Sequence, residues 1–576
     1  MKKGIVYVLS TSLIFLAVGC RHVTAPLPPE SAEVGRVEEE VSSPPEALYH
    51  YLVARSKAKA GDLEGAIEEY QEAIDLDPRS PVLYVELATL LHSKGRTDEV
   101  IAACQNALAL DPNYLPAHYL LAGVYSAVGR HQEALEEYQR VLKIDPDHLQ
   151  TYLMISTLYV EMRDYDRAVD TLHQLLEREP TYVMGLYYLA RIYAEMKRYD
   201  QALKHYQQVL QINPGFEAAL MDMGTVYELK GEREQAMEMY RKVVESHPMN
   251  FQARERLGQL LLKEDRLQDA LDQYHIIKDL DSENLKVRVK MGLILLQQER
   301  YEEAAREFQF VLTARPQNSD VRYYLGIALY QMDNPQGALA ELKQVPPQGR
   351  LFSEATRYMA FILQKEGHAD EAVAVVKKAI EAKPGDMKLR LTLAFLYEDL
   401  ARYPEAVDIL QAVVAEEPTN TKALFRLGVV YDKMGENDET IRCMQKVIDL
   451  DPKDADALNY LGYTYAEKGI RLDEAEGFIK RALELKPEDG YITDSLGWVY
   501  YQKGDYPRAV QWLEKARRLT PEDPIITEHL GDGYRKMNRK EEALRMYQRA
   551  LELKPKKERE KGLRKKIEEL QGEQRP

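Results

Sequence analysis

The feature that most restricts the fold is a period of 34 residues that recurs from Ala47 onward through the 576-residue chain. Its clearest copy is Gly490–Asp523, GYITDSLGWVYYQKGDYPRAVQWLEKARRLTPED. Leu496, Gly497 and Tyr500 make an apolar stripe at helical spacing, which Gly504 and Asp505 interrupt. Ala509, Leu513 and Ala516 make a second stripe, and Pro521 ends it. Neither short helix can bury its stripe alone, so the two close on each other and like hairpins stack. Fifteen copies fit, beginning at Ala47, Pro81, Leu115, Leu149, Val183, Glu217, Phe251, Leu285, Ser319, Ser353, Met387, Thr421, Ala455, Gly490 and Pro524, with one insertion near Gly469–Asp473. Length alone would allow about four domains; the repeat makes the chain a linear array instead.

The eighth residue of every copy is Gly, Ala or Ser, from Ala54 to Gly531. The twentieth is Ala except at Val100 and Thr440, and Pro closes the second helix except where Ser282 and Arg350 stand. This pattern resembles the tetratricopeptide repeat (TPR) family. It departs from the family in lacking the Trp near the start of the first helix, replaced by residues such as His50, Tyr84 and Leu424. The resemblance implies an all-α fold, a right-handed superhelical solenoid of about fifteen helix hairpins whose first helices line a concave groove. Such arrays are held by neighbour contacts and need capped ends. Leu563, Ile567 and Leu570 form a narrow apolar stripe in Lys557–Gly572, which reads as the C-terminal cap. The basic residues Lys556, Lys557, Arg559, Lys561, Arg564, Lys565 and Lys566 read as its solvated face in preference to an anion-binding tail. In copy nine, Pro346-Pro347 should end the second helix about a turn early, either as a hinge or as a passive irregularity.

The N-terminus, MKKGIVYVLSTSLIFLAVGC, has Lys2 and Lys3 before an apolar run from Ile5 to Val18. The run is short for a membrane span and has the proportions of a secretory signal. Leu16-Ala17-Val18-Gly19-Cys20 resembles the lipobox of bacterial lipoproteins, with Ala17 where Leu is usual. That resemblance implies cleavage before Cys20 and its acylation; an ordinary signal or an uncleaved anchor are the alternatives. Arg21, in place of an Asp, implies the outer membrane. Five prolines and six glutamates between Arg21 and Glu46 describe a solvated tether, able to span roughly 80 Å if extended. The expected organisation is a signal peptide at 1–19, a tether with acylated Cys20 at 20–46, copies one to nine at 47–352, copies ten to fifteen at 353–557, and a capping helix and tail at 558–576.

The net charge of −17 argues against broad nucleic-acid binding. Three cysteines are too few for a disulfide framework or a zinc cluster, and Cys104 and Cys443, ten copies apart, read as small core hydrophobes. Tyrosine outnumbers phenylalanine 38 to 10, which points to half-buried rings with wet hydroxyls. The sequence contains no phosphate-cradling Gly-rich loop, HExxH, GxSxG or Cys/His ligand set. Some TPR proteins carry a transferase or kinase domain after the array, whereas here the last copy is followed only by a short tail. We expect no enzymatic activity, no cofactor and no metal.

Function is then expected in surfaces. By the family's geometry, positions 2, 5, 9 and 12 of each first helix face the groove. In copy 14 these are Tyr491, Asp494, Trp498 and Tyr501, and copies 9 to 13 add Tyr323, Tyr330, Phe361, Phe395, Phe425 and Tyr463. An aromatic groove with interspersed charge suits a peptide; packing between adjacent first helices is the plainer reading of any one ring. Arg254, Arg288, Arg322 and Arg390 recur at position 4, with Arg357 one place later. They form a candidate anion-binding stripe, against the plainer reading of arginines paired with abundant Glu. Position 23 is polar early (Glu69, Glu137, Thr171, Gln273, Glu307, Glu341) and apolar late (Val375, Ile409, Cys443, Phe478, Trp512, Met546). Trp512 and Phe478 are candidates for a docking face, and packing between second helices is the alternative.

The expected function is a lipid-anchored, periplasm-facing scaffold that binds proteins or peptides, contacts the membrane through its N-terminal lipid only and binds no nucleic acid. It could also form homo-oligomers. Ala457–Met546 resembles Gram-negative TPR lipoproteins, some of which are adaptors of a carboxyl-terminal processing protease. The alternative is a structural part of a pilus, secretion or polysaccharide-export machine.

Overall fold

The computed structural model describes residues 44–572. The signal segment, Cys20 and nearly all of the tether lie outside the described residues. Among the described residues there are thirty-one α-helices and no strand. Thirty of the helices alternate as first and second helices of the fifteen copies, and Lys557–Gly572 follows alone. The fold class is an all-α repeat solenoid.

Local chemistry starts and stops these helices. Asp or Asn at the N-cap accepts a backbone N–H three residues on, as at Asp62, Asn250, Asp386, Asn420 and Asp454, which satisfies one of the orphan donors of the first turn. The turn inside each copy places its fifteenth residue in the left-handed region. Eight copies use Gly there, Gly61 and Gly504 among them, but Arg163, Lys197, Asp265, Glu299, Asp333, Ala401 and Asn538 take the same conformation. The insertion in copy 13 adds a second left-handed residue, Arg471 (φ 45°), which caps Leu472–Leu485.

The chain divides into two compact units, the first ending at Gln298 and the second beginning at Glu299. In the first, one core runs from Ala54 to Ala253. In the second, one cluster spans Ala338–Cys443 and another Leu424–Leu570, and Val414 packs against both. The expected boundary at 352/353 is not where the units divide. Copy nine's second helix does end early, as Pro335–Leu342, but Val345 and Phe352 bury the turn that follows, in the same cluster as Leu342 and Ala355, and Leu351 is buried beside them in the chain. Leu342 and Phe352 thus hold the turn to the core on both sides of Pro346-Pro347.

The small residue at position 8 is explained by its partner at position 24. A Cβ on Gly224 would lie 2.6 Å from the Tyr240 ring, on Gly531 2.6 Å from Tyr547, and on Gly497 2.7 Å from Leu513. A gap on the first helix receives a large side chain of the second. Half-buried tyrosines occur as expected at positions such as Tyr84, Tyr119 and Tyr460, but not at position 24. Tyr70, Tyr206, Tyr240, Tyr274 and Tyr547, all at position 24, are fully buried, and burial pushes their phenols well above the usual range. Cys104 and Cys443 are free and buried, which pushes their thiols up to about 12 and about 11.

Candidate functional site

Two recurring sets of side-chain contacts decide which predicted residues are available. The first lies within a copy. The residue at position 4 reaches back six residues to the carbonyl that precedes its helix. His118 Nε2 lies 3.0 Å from the Pro112 oxygen, Arg254 Nε donates to Pro248 at 3.0 Å, and Arg288 donates to Ser282. Arg322 donates to Pro316 and Arg390 to Pro384. Its remaining polar atoms often meet position 23, nineteen residues on. His50 pairs with Glu69 at 2.7 Å, His118 with Glu137, Arg254 with Gln273 at 3.1 Å and Arg322 with Glu341 at 2.6 Å. Arg390 pairs with Glu416 instead. The stripe of arginines thus staples loops, and only Arg357, one position later, stands out as exposed. The apolar turn at position 23 has the same origin. Opposite Cys443, Trp512 and Met546 stand Leu424, Thr493 and Thr527 rather than His or Arg, and Arg390, opposite Ile409, turns to Glu416. Phe478, Trp512 and Met546 are half-buried against the core, with Lys515 Nζ 5.1 Å from the Trp512 ring.

The second set joins copies. Position 6 of one first helix meets position 5 or 12 of the helix before it. Tyr187 donates to Asp222 at 2.9 Å, and Lys290 to Glu255. Arg426 meets Glu398 at 3.0 Å, and Tyr460 donates to Asp432 at 2.8 Å. His529 Nδ1 lies 3.0 Å from Asp494. Asp494 was expected in the groove; it is 5% exposed and engaged by His529, because position 5 faces the next helix as much as the groove.

Copy 14 therefore presents a stacked assembly. Trp498 lies between Tyr501 (4.6 Å, 5°) and His529 (4.2 Å, 20°), and its buried indole N–H has no partner in the structure. Tyr501 is half-buried, its phenol pushed up to about 12 by burial. Tyr491 is 58% exposed. Burial draws the His529 imidazolium down, but the Asp494 carboxylate and its hydrogen bond outweigh it, and the net direction is upward. Burial also raises the phenol of half-buried Tyr463.

The terminal helix Lys557–Gly572 closes this end. Leu563 and Leu570 are fully buried. Lys566 Nζ lies 2.8 Å from Glu528 and 2.7 Å from Asp532, and Arg559 lies 3.2 Å from Glu528. Two members of the basic cluster thus neutralise carboxylates that the last copy would otherwise present.

Copies 9 to 12 leave a different surface. Tyr330 packs edge-on against Tyr358 and Phe361, while Tyr323 is half-buried, its phenol pushed up to about 12 by burial. Phe395 is 41% exposed, with the Arg426 guanidinium 5.2 Å from its ring, and Phe425 packs against Tyr460. Lys433 and Arg426 share Glu398, and Lys388 meets Glu354 at 2.8 Å. Position 6 escaped the sequence reading. Its signal is a polar residue about 35 places after a carboxylate, as in Asp494 and His529. Among the described residues no group of three or more His, Cys, Asp or Glu could hold a metal ion, and no helix is long and apolar enough to cross a membrane.

Models described as tetratricopeptide repeat match residues 91–152, 295–360, 363–427 and 399–459, and others of that description match 443–477, 471–524 and 527–561. A TPR repeat model matches 55–95, and a model of the tetratricopeptide repeat protein 21 C-terminal ARM domain matches 132–325. No curated protein matches the chain. Among solved structures, MamA is 25% identical over 29% of this chain and 92% of its own, with a TM-score of 0.27. YrrB, described as a TPR protein with an unusual peptide-binding site, is 24% identical over 32% of this chain and 95% of its own, with a TM-score of 0.28. Yeast Tom70 is 15% identical over 92% of this chain and 96% of its own, with a TM-score of 0.34.

Proposed function

This chain is a tetratricopeptide repeat protein, and we propose that it is a non-enzymatic scaffold that recruits proteins or peptides at the bacterial envelope, held there by lipid on Cys20. TPR arrays mediate protein–protein interaction, and that general role is the premise. The observation that carries it to this chain is the face of copies 9 to 12. Phe361, Phe395 and Phe425 recur there at groove positions of successive first helices, with Arg426 over the Phe395 ring and Lys388 on the same helix as Phe395. Large rings framed by charge are the side chains that anchor a bound peptide.

The anchoring part rests on Met1–Cys20 alone. Cys20→Ala should abolish metabolic labelling by palmitate and release the protein from membranes. Continued labelling of the variant would overturn lipidation at this residue. For the scaffold, crosslinking in membranes followed by identification of captured proteins is the test. A captured processing protease favours the adaptor role, and a secretin or export porin favours a part in an envelope machine. Turnover of a substrate by the purified chain would overturn both.

A further inference from the structure

The first helices of copies 10, 11 and 12 are Phe352–Lys365, Met387–Asp399 and Thr421–Met434. The side of these helices that faces the groove and the neighbouring first helices carries six cations at positions 2, 5, 6 and 13: Arg357, Lys365, Lys388, Lys422, Arg426 and Lys433. Four carboxylates share it. Glu398 is buried and held by Arg426 and Lys433 together, Asp432 accepts from Tyr460, Glu354 meets Lys388, and Asp399 accepts from Gln364. The chain as a whole carries −17, so a cationic excess on three adjacent helices runs against its average. The strip is continuous, because Arg426 of copy 12 lies over Phe395 of copy 11, and Lys388 of copy 11 reaches Glu354 of copy 10. Lys365 Nζ lies 5.9 Å from the Phe361 ring.

From this juxtaposition we infer that copies 10 to 12 form a docking strip for an acidic peptide segment with an aromatic or aliphatic anchor. The inference rests on the scaffold reading above and names the chemistry of its ligand. Carboxylates of the ligand meet Lys388, Lys422 and Arg357, which are exposed. Its anchor packs on Phe395, whose ring is exposed with the Arg426 guanidinium 5.2 Å from its centroid. The buried Glu398 holds Arg426 and Lys433 in place; both retain donors beyond those Glu398 accepts. Charge complementarity here sets partner choice and encounter rate, and weakens with salt.

The test uses the full chain and two fluorescein-labelled peptides, Glu-Glu-Phe-Glu-Glu-Leu-Glu-Glu and its counterpart with Lys at each Glu, read by anisotropy. The acidic peptide should bind at least tenfold more tightly than the basic one and weaken severalfold from 50 to 300 mM salt. Lys388→Glu with Lys422→Glu should cost at least tenfold, while Lys388→Arg with Lys422→Arg retains binding. Equal binding of the two peptides, no binding of either, or indifference to the charge reversal overturns the inference. If membrane crosslinking still captures proteins in that event, the scaffold reading stands; if it captures none, that reading falls too.

Discussion

His529 Nδ1 lies 3.0 Å from Asp494 Oδ2, and the two residues, 5% exposed each, join copy 15 to copy 14 beneath the Trp498 ring. Breaking one partner of such a buried pair leaves an uncompensated charge. The imidazolium is favoured in the fold, with Asp532 also raising and Arg559 lowering it. Its stabilising share is therefore fully present below the unfolded histidine value, about 6.5, and is lost as pH rises through the higher folded value. Amide exchange across residues 490–552 should quicken from pH 6 to pH 9 beyond the intrinsic rate. His529→Gln should remove that extra pH dependence, and an unchanged profile in the variant would show that the pair does not titrate.

Gly531 sits where a Cβ would meet the Tyr547 ring at 2.6 Å. Gly531→Val should destabilise the last copy by about 1–3 kcal/mol through overpacking. Gly531→Ala should cost less, since Ala54 and Ala190 already face Tyr70 and Tyr206 at the same positions. Urea denaturation followed by exchange mapping should place the loss in copy 15.

Arg322 and Glu341 form the lock between position 4 and position 23 of copy nine at 2.6 Å. Glu341→Leu alone should cost about 1–3 kcal/mol by leaving the guanidinium short of an acceptor. Adding Arg322→Met should cost less than the two single changes summed, as the apolar pairs of the later copies imply. Strict additivity in the double-mutant cycle would mean that the two side chains are independent.

Ala401 is exposed and adopts φ 55° in the turn of copy 11, where eight other copies carry Gly. Left-handed backbone costs a non-Gly residue about 1–2 kcal/mol, only partly offset by the greater unfolded freedom of Gly. Ala401→Gly should raise stability by about 0.5–1 kcal/mol, read as a higher unfolding midpoint at unchanged denaturant slope.

Much of the scaffold was legible because a 34-residue period leaves few solutions. The apolar stripes, the small residue at position 8 and the closing Pro each follow from helix geometry within one copy. Yet copies such as the fifth and the eleventh place Lys197 and Ala401 where Gly is usual, and only the register of the repeat locates their turns. The site was less legible. Asp494 and Trp498 share one helical face in the sequence, but His529 of the next copy buries the first and stacks on the second. Nothing within copy 14 announces that partner.

The sequence by itself determined the class of fold, the number of copies and the absence of familiar catalytic motifs, since these depend on periodicity and local propensity. The tertiary structure decided which groove residues remain available. Arg254, Arg322 and Arg390 give donors to loop carbonyls, and Lys566 covers Glu528 and Asp532. Phe395, by contrast, stays open beside Arg426. Each helix in a stack meets a neighbour about 34 residues away, and the chemistry of that neighbour, not the spacing that places it, sets whether a side chain is spent on the fold or left for a partner.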